Sequence, residues 1–268
     1  MTDSAIVTWD GGRLAVNLTF APLLEVAGLT TVAAFMEFDG GEVAKSAVVD
    51  RRTDRIQLTG QGDEFVGFLK RHRRPRWSEY LKACLRLTRP TLGARGEWEA
   101  IWRFHEAGLP TMTPVAFGED HAGSFVLTES LEPAQKLSAL AIEPTLEAAS
   151  RHRLVREVAD LARRMHDAGL HHQDFYLGHL LCRLDQPHEP VYVLHLGRAR
   201  RLRRLGSRWI IKDLAQLHYS SGNLTATDQL RFMTKYLGRP PGDADQRFLE
   251  RVARKSEAIA LHSRKHRL

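Results

Sequence analysis

The chain has 268 residues, 43% of them hydrophobic and 26% charged, which is the make-up of a folded globular protein and excludes a disordered or fibrous one. No apolar run approaches the roughly 18 residues of a membrane span, and two cysteines, Cys84 and Cys182, exclude a disulfide framework and fit a reducing compartment. The net charge of +7 suits an anionic membrane surface or phosphorylated substrates, while the lack of any groove-reading motif argues against specific nucleic-acid binding.

Residues 1–20 alternate loosely about Asp10-Gly11-Gly12, which predicts a hairpin turn. Leu23, Leu24, Val26, Ala27 and Leu29 predict a short helix ending near Gly28, and a second at 31–38 is stopped by Asp39-Gly40-Gly41. Strands are expected at 48–58 and 64–70, joined through Gly60-Gln61-Gly62-Asp63. Trp98, Ile101, Trp102 and Phe104 mark a helix over 93–107, closed by Gly108-Leu109-Pro110. A second hairpin at 117–127 turns at Asp120-His121-Ala122-Gly123, and beyond Thr128-Glu129-Ser130 the pattern becomes helical. The reading is an α+β chain with a strand-rich half, 1–130, and a helical half, 131–268. Phe248, Leu249, Val252, Ile259 and Leu261, interspersed with Arg and Lys, predict a basic amphipathic C-terminal helix that packs against the domain. The N-terminus has no basic stretch followed by an apolar one, so a signal peptide is not expected and the cytoplasm is the expected compartment.

The chemistry concentrates at 169–181, Gly-Leu-His-His-Gln-Asp-Phe-Tyr-Leu-Gly-His-Leu-Leu. An amphipathic run through Leu154, Val158, Leu161 and Met165 leads into it, and the short run Val191-Tyr192-Val193-Leu194 follows it. Helix, loop with His-x-Asp-x-x-x-x-His, strand and second strand is the layout of a kinase catalytic loop. Asp174 is then the base that takes a hydroxyl proton, His179 stands on the metal side, and His172 braces the loop. The spacing of His171, His172 and His179 matches no zinc pattern. Lys70, at the end of an apolar strand, reads plainly as a solvated strand end. Glu97 raises its standing, because it shares a helical face with Ile101 and Phe104, where a carboxylate is costly unless paired. A strand lysine paired to a helix glutamate holds nucleotide phosphates in kinases. Asp213 follows Arg208-Trp209-Ile210-Ile211-Lys212 and reads as a residue opening a helix, a cap or dipole partner. In kinase folds an aspartate there also binds the catalytic-loop backbone. Ser220-Ser221-Gly222-Asn223 reads as a helix stop.

In this order the motifs resemble the lipopolysaccharide kinase family of the WaaP/InaA type. The matching stretches are Phe68-Leu69-Lys70-Arg71-His72-Arg73, Trp77-Ser78-Glu79, and Leu92-Gly93-Ala94-Arg95-Gly96-Glu97-Trp98 with Gly108-Leu109-Pro110-Thr111. Ser124-Phe125-Val126-Leu127-Thr128-Glu129, the 169–181 loop, and Arg208-Trp209 through Lys212-Asp213-Leu214 with Tyr219-Ser220-Ser221 complete the series. The resemblance covers roughly residues 20–240 and implies a two-lobe protein-kinase-like fold. It implies an ATP-dependent phosphotransferase acting on a core heptose of lipopolysaccharide or a related glycolipid. The nucleotide-binding half would be 1–130, with Lys70 on the phosphates and Glu97 as its partner. The half 131–268 would carry Asp174 as base, His179 on the metal side, and the acceptor. ATP and Mg2+ are the implied cofactors.

One departure stands out. In Val193-Leu194-His195-Leu196-Gly197-Arg198-Ala199 the family pattern has an aspartate where this chain has His195, and Mg2+ prefers oxygen ligands to imidazole. The alternative that follows is a pseudokinase-like binding or regulatory protein of the same fold. The basic segments 71–76 and 198–204 are expected to meet anionic glycolipid or the inner-membrane surface.

Overall fold

The computed structural model describes residues 5–48, 51–60, 63–73, 93–141, 146–186, 188–222 and 224–266. Gln61, Gly62, Arg74, Arg76, Trp77, Ser78, Glu79, Cys84, Leu92 and Asn223 lie outside them. The chain divides into two compact units, Met1–Trp102 with Met112–Leu131, and Arg103–Thr111 with Glu132–Leu268.

The first unit is an antiparallel sheet of seven described strands in the order β1-β2-β6-β7-β5-β4-β3. β1 (Ile6–Trp9) and β2 (Leu14–Asn17) flank the expected turn at Asp10–Gly12. Two short helices follow, α1 (Ala21–Val26) and α2 (Val32–Glu37), the latter capped by the Thr31 hydroxyl, which accepts from the Ala34 N–H at 3.2 Å. β3 (Gly41–Val48), β4 (Arg51–Gly60) and β5 (Asp63–Arg73) form a meander, and β6 (Pro114–Glu119) and β7 (Gly123–Glu129) form the later hairpin. β3 is a strand that the hydrophobic pattern does not announce. It pairs with β4 through irregular registers, between Val43 and Lys45 and between Ser46 and Val48, and these break the alternation that marks a strand.

The two-residue period of β4 and β5 decides which charges enter the core. Asp54, Ile56 and Leu58 point inward from β4, and Phe65, Leu69 and Arg71 from β5. Arg71 is therefore not part of a surface basic patch. Its guanidinium pairs with the fully buried Asp54 and donates to the carbonyls of Met36 and Phe38 at 3.0 and 2.7 Å, closing the end of α2. The hydrophobic core of this unit includes Leu14, Leu24, Val32, Val115 and the stacked rings of Phe35 and Phe125, 4.2 Å apart.

α3 (Arg95–Glu106) follows, with Glu97, Ile101 and Phe104 buried along one face, as its periodicity predicts. The second unit contains β8 (Gln135–Lys136), α4 (Leu137–Leu140), α5 (Ala148–Asp167), β9 (Leu170–His171), β10 (Leu180–Cys182), β11 (Tyr192–Val193) and β12 (Arg200–Arg201). α6 (Ser207–Ser220), α7 (Ala226–Leu237) and α8 (Gln246–His266) complete it. β11-β10-β8 form one small sheet, and β12-β9 another. Past the end of α5, Gly169 has φ +74°; a Cβ there would stand 2.4 Å from the Leu202 carbonyl oxygen, so the turn into β9 requires glycine. α8 packs along α6 and buries Val252 and Ser256. Among the described residues no helix is long and apolar enough to cross a membrane.

Replacing Arg71 with methionine leaves the buried Asp54 with only the half-exposed Arg52, 2.6 Å from its Oδ1. The expected loss of stability is about 3–5 kcal/mol, read from urea unfolding; a loss near zero would contradict the core role of this pair.

Candidate active site

In the first unit, Lys70 sits between Thr53 of β4 and Val126 of β7, on the face of β5 opposite Leu69 and Arg71. Its Nζ pairs with Glu97 Oε1, and the two side chains are only 16% and 8% exposed. Glu97 lies in the first turn of α3, where the helix dipole favours a carboxylate, and the Ser124 hydroxyl accepts from the Ala94 N–H at 2.9 Å just ahead of it. His72 is two residues along the same strand. Burial pushes its pKa down to about 4, with Arg51 adding to the effect, so the ring stays neutral.

In the second unit the 169–181 loop is held by one face of α6. The fully buried Asp213 accepts the His172 N–H on Oδ2 and the Gln173 N–H on Oδ1, both at 2.8 Å. Gln216 accepts the Phe175 N–H at 3.1 Å and donates to the Gln173 carbonyl at 2.7 Å. Ser220 accepts the Leu177 N–H at 2.9 Å. Positions 213, 216 and 220 recur at helical spacing, so a single polar stripe binds four loop amides. Two sequence readings change here. Asp213 does not open the helix, which begins at Ser207, and Ser220 holds the loop besides ending the helix. The sequence signal for Gln216 is its place as a polar residue on the helical face that Asp213 shares.

Asp213 is charged. Burial alone would raise its pKa, but the His166 ring, 3.5 Å away, and the His172 amide outweigh it and hold the carboxyl below its ordinary value. His166 in turn meets the Tyr236 hydroxyl at 2.8 Å.

The loop orients its own polar residues. His172 is fully buried, and its Nδ1 accepts the Asp174 N–H at 3.2 Å, so Nε2 carries the proton and donates to the Leu194 carbonyl at 2.8 Å. Burial lowers its pKa, which agrees with a neutral ring. His179 Nδ1 lies 2.7 Å from the Asp174 carbonyl oxygen, which can only accept, so that nitrogen carries a proton. His195 is exposed, takes a left-handed backbone with φ 60°, and sets its ring edge-on to His179 at 4.6 Å. Arg198 follows in the same short turn, and its Nη1 lies 3.0 and 3.3 Å from the two carboxylate oxygens of Asp174. No spacing in the sequence announced that contact. Cys182 is a core residue whose thiol burial pushes up to about 11.

The donors near the loop do not fit Mg2+. They are the imidazoles of His179 and His195 and a carboxylate already paired with Arg198. Among the described residues no group of three or more His, Cys, Asp or Glu side chains could hold a metal ion. Glu189, close in sequence, pairs with Arg183 at 3.4 Å. Mg2+ takes one or two carboxylates together with waters and substrate phosphates, and the carboxylate at this loop is already shared with Arg198.

A strand-rich unit carrying a lysine–glutamate pair, followed by a helical unit carrying an aspartate loop pinned to a buried aspartate, is a protein-kinase-like fold of α+β class. The chain belongs to the lipopolysaccharide kinase (Kdo/WaaP) family, whose model matches residues 42–236. It is 39% identical over 208 residues to the lipopolysaccharide core heptose(I) kinase WaaP of Pseudomonas aeruginosa, covering 71% of this chain and 75% of that one. Against the enzyme of the same name in Escherichia coli K12 it is 36% identical over 215 residues, covering 75% and 79%. The 3-deoxy-D-manno-octulosonic acid kinase of Actinobacillus succinogenes is 27% identical over 205 residues, covering 68% and 81%. The resemblance read from the order of the motifs is borne out.

Asp213→Ala leaves the His172 and Gln173 amides without acceptors, at a cost of about 1–3 kcal/mol for each; faster exchange of those two amide hydrogens would report it. A second expectation concerns His171, buried against Trp209 with ring centroids 4.4 Å apart and its pKa pushed by burial to about 4. The unfolded chain protonates this histidine first as pH falls. Its contribution is therefore complete above about pH 6.5 and is lost toward pH 4, by at most about 1.4 kcal/mol per pH unit. Urea unfolding across that window should be flatter in His171→Phe than in wild type.

Proposed function

We propose that this protein is an ATP-dependent sugar kinase that transfers the γ-phosphate to a heptose hydroxyl of the lipopolysaccharide core. The observation that carries the reading is Asp174 on a loop whose backbone is pinned by the buried charge of Asp213, in a chain whose relatives include heptose(I) kinases at 36–39% identity. Residues 1–130 would bind the nucleotide and 131–268 would carry the catalytic loop and the acceptor. Lys70 holds the α- and β-phosphates and Glu97 holds Lys70, a pairing supported by their contact. Asp174 takes the proton of the acceptor hydroxyl as its oxygen bonds to the γ-phosphorus. The bond from that phosphorus to the β–γ bridging oxygen breaks, and ADP leaves with the electron pair. His172 and Asp213 hold the loop and take no proton in the step.

A divalent cation that arrives with ATP would neutralise phosphate charge. The chain's side of the site favours a cation tolerant of imidazole, such as Mn2+, over Mg2+. The acceptor is an anionic glycolipid, and the exposed Arg203 and Arg204 suit peripheral contact with it at the cytoplasmic face of the inner membrane.

Purified protein with ATP, Mn2+ or Mg2+, and core oligosaccharide bearing an unphosphorylated heptose is expected to release ADP. Asp174→Asn should lower kcat by about 10²–10⁴-fold, and Lys70→Met should raise the KM for ATP. If wild type releases no ADP with either cation while ATP still raises its melting temperature, the kinase reading fails and a nucleotide-binding module of the same fold is left.

A further inference from the structure

Asp174 is tied at its backbone on both sides, by the His172 ring at its N–H and the His179 ring at its carbonyl. Its carboxylate is not held that way. Among the described residues the hydrogen bonds to that carboxylate come from Arg198 alone. A single nitrogen, Nη1, reaches both oxygens at 3.0 and 3.3 Å, a forked contact lying between them. The outward lone pairs of the two oxygens stay open to an incoming hydroxyl.

Arg198 is itself anchored to the loop. The Gln173 side chain donates from Nε2 to the Arg198 carbonyl at 2.8 Å, and the Arg198 side chain returns to Asp174. The contacts close a ring through consecutive loop residues. Gln173 has φ 70°, a left-handed conformation kept by Asp213 at its N–H and Gln216 at its carbonyl. The other end of the ring is the short turn Leu196–Arg198, entered through the left-handed His195. The pair is 53% exposed on Arg198 and 25% on Asp174, so it contributes little to stability. A costly backbone arrangement that delivers a weakly stabilising pair to one carboxylate points to a role in orienting that carboxylate.

We propose that Arg198 is a positioning residue: it fixes the rotamer of Asp174 so that an outward lone pair faces the acceptor hydroxyl. The inference rests on the kinase reading above and deepens it. Lys212, whose amine is held below its usual pKa by burial and by the charge of Arg198, is a second cation acting on Asp174. It stands on α6 and makes no hydrogen bond to the carboxylate, so it sets charge without setting direction.

The test compares wild type, Arg198→Ala, Arg198→Lys, Asp174→Asn and the exposed charge control Arg254→Ala, with ATP and core oligosaccharide. Arg198→Ala is expected to lower kcat by about 10²-fold, the scale of a misplaced catalytic group, while the KM for ATP stays within about twofold. Its melting temperature should match wild type. Added guanidinium at millimolar concentration should restore part of the rate in Arg198→Ala and none in Asp174→Asn, and Arg198→Lys should fall between wild type and alanine. Arg254→Ala should behave as wild type. The proposal is overturned by an Arg198→Ala enzyme with wild-type kcat, or by one whose loss guanidinium does not relieve. A wild-type protein that does not turn over at all overturns the kinase reading and this inference with it, an outcome distinct from the other two.

Discussion

The geometry of the catalytic loop depends on one buried charge. Asp213 is fully enclosed, remains ionised, and gives both carboxylate oxygens to backbone amides of the loop. A desolvated carboxylate that accepts two amides and faces an imidazole is stable only if every partner keeps its place, so the cost of burial becomes rigidity in the partners. Gln216 and Ser220 extend the same stripe along α6. The loop is thus templated by a helix surface, and the directions of His172, Asp174 and His179 follow from amide positions that α6 sets.

β5 shows the same economy in the first unit. Lys70 and Arg71 are neighbours in sequence and opposites in environment, because successive strand residues face opposite sides. Arg71 enters the core, where Asp54 and the last carbonyls of α2 satisfy it. Lys70 turns the other way and meets Glu97. One pair serves the packing of the sheet, and the other presents an ammonium group that a phosphate can share.

The turn at 195–198 brings charge to the loop. It sets an exposed imidazole, His195, in a left-handed conformation and, three residues later, a guanidinium on the Asp174 carboxylate. Arg198 moves the charge balance at this carboxylate toward positive. Phosphoryl transfer gathers negative charge on the oxygens of the moving group, so on the proposed reading a fixed cation beside Asp174 would act in the sense that the transition state requires.

Much of this was legible in the sequence, for reasons of periodicity. Hydrophobic spacing marked α3 and α5, and glycines marked their ends. The unfavourable placing of Glu97 on an apolar face already demanded a cation, and Lys70 was the candidate; the order of motifs identified the family. β3 is hidden because its register breaks, and the burial of Arg71 is hidden because it stands in a run of basic residues that reads as surface. The role of α6 was half visible, in Asp213 but not in Gln216 or Ser220. Local sequence determined which residues are helical, which are extended, and which positions carry acid, base and cation, since those follow from backbone propensity and side-chain period. Only the tertiary structure decided what each polar group faces, because Arg198 meets Asp174 from 24 residues away, the His172 amide meets Asp213 from 41 and Asp54 meets Arg71 from 17, and no local pattern encodes contacts at that separation.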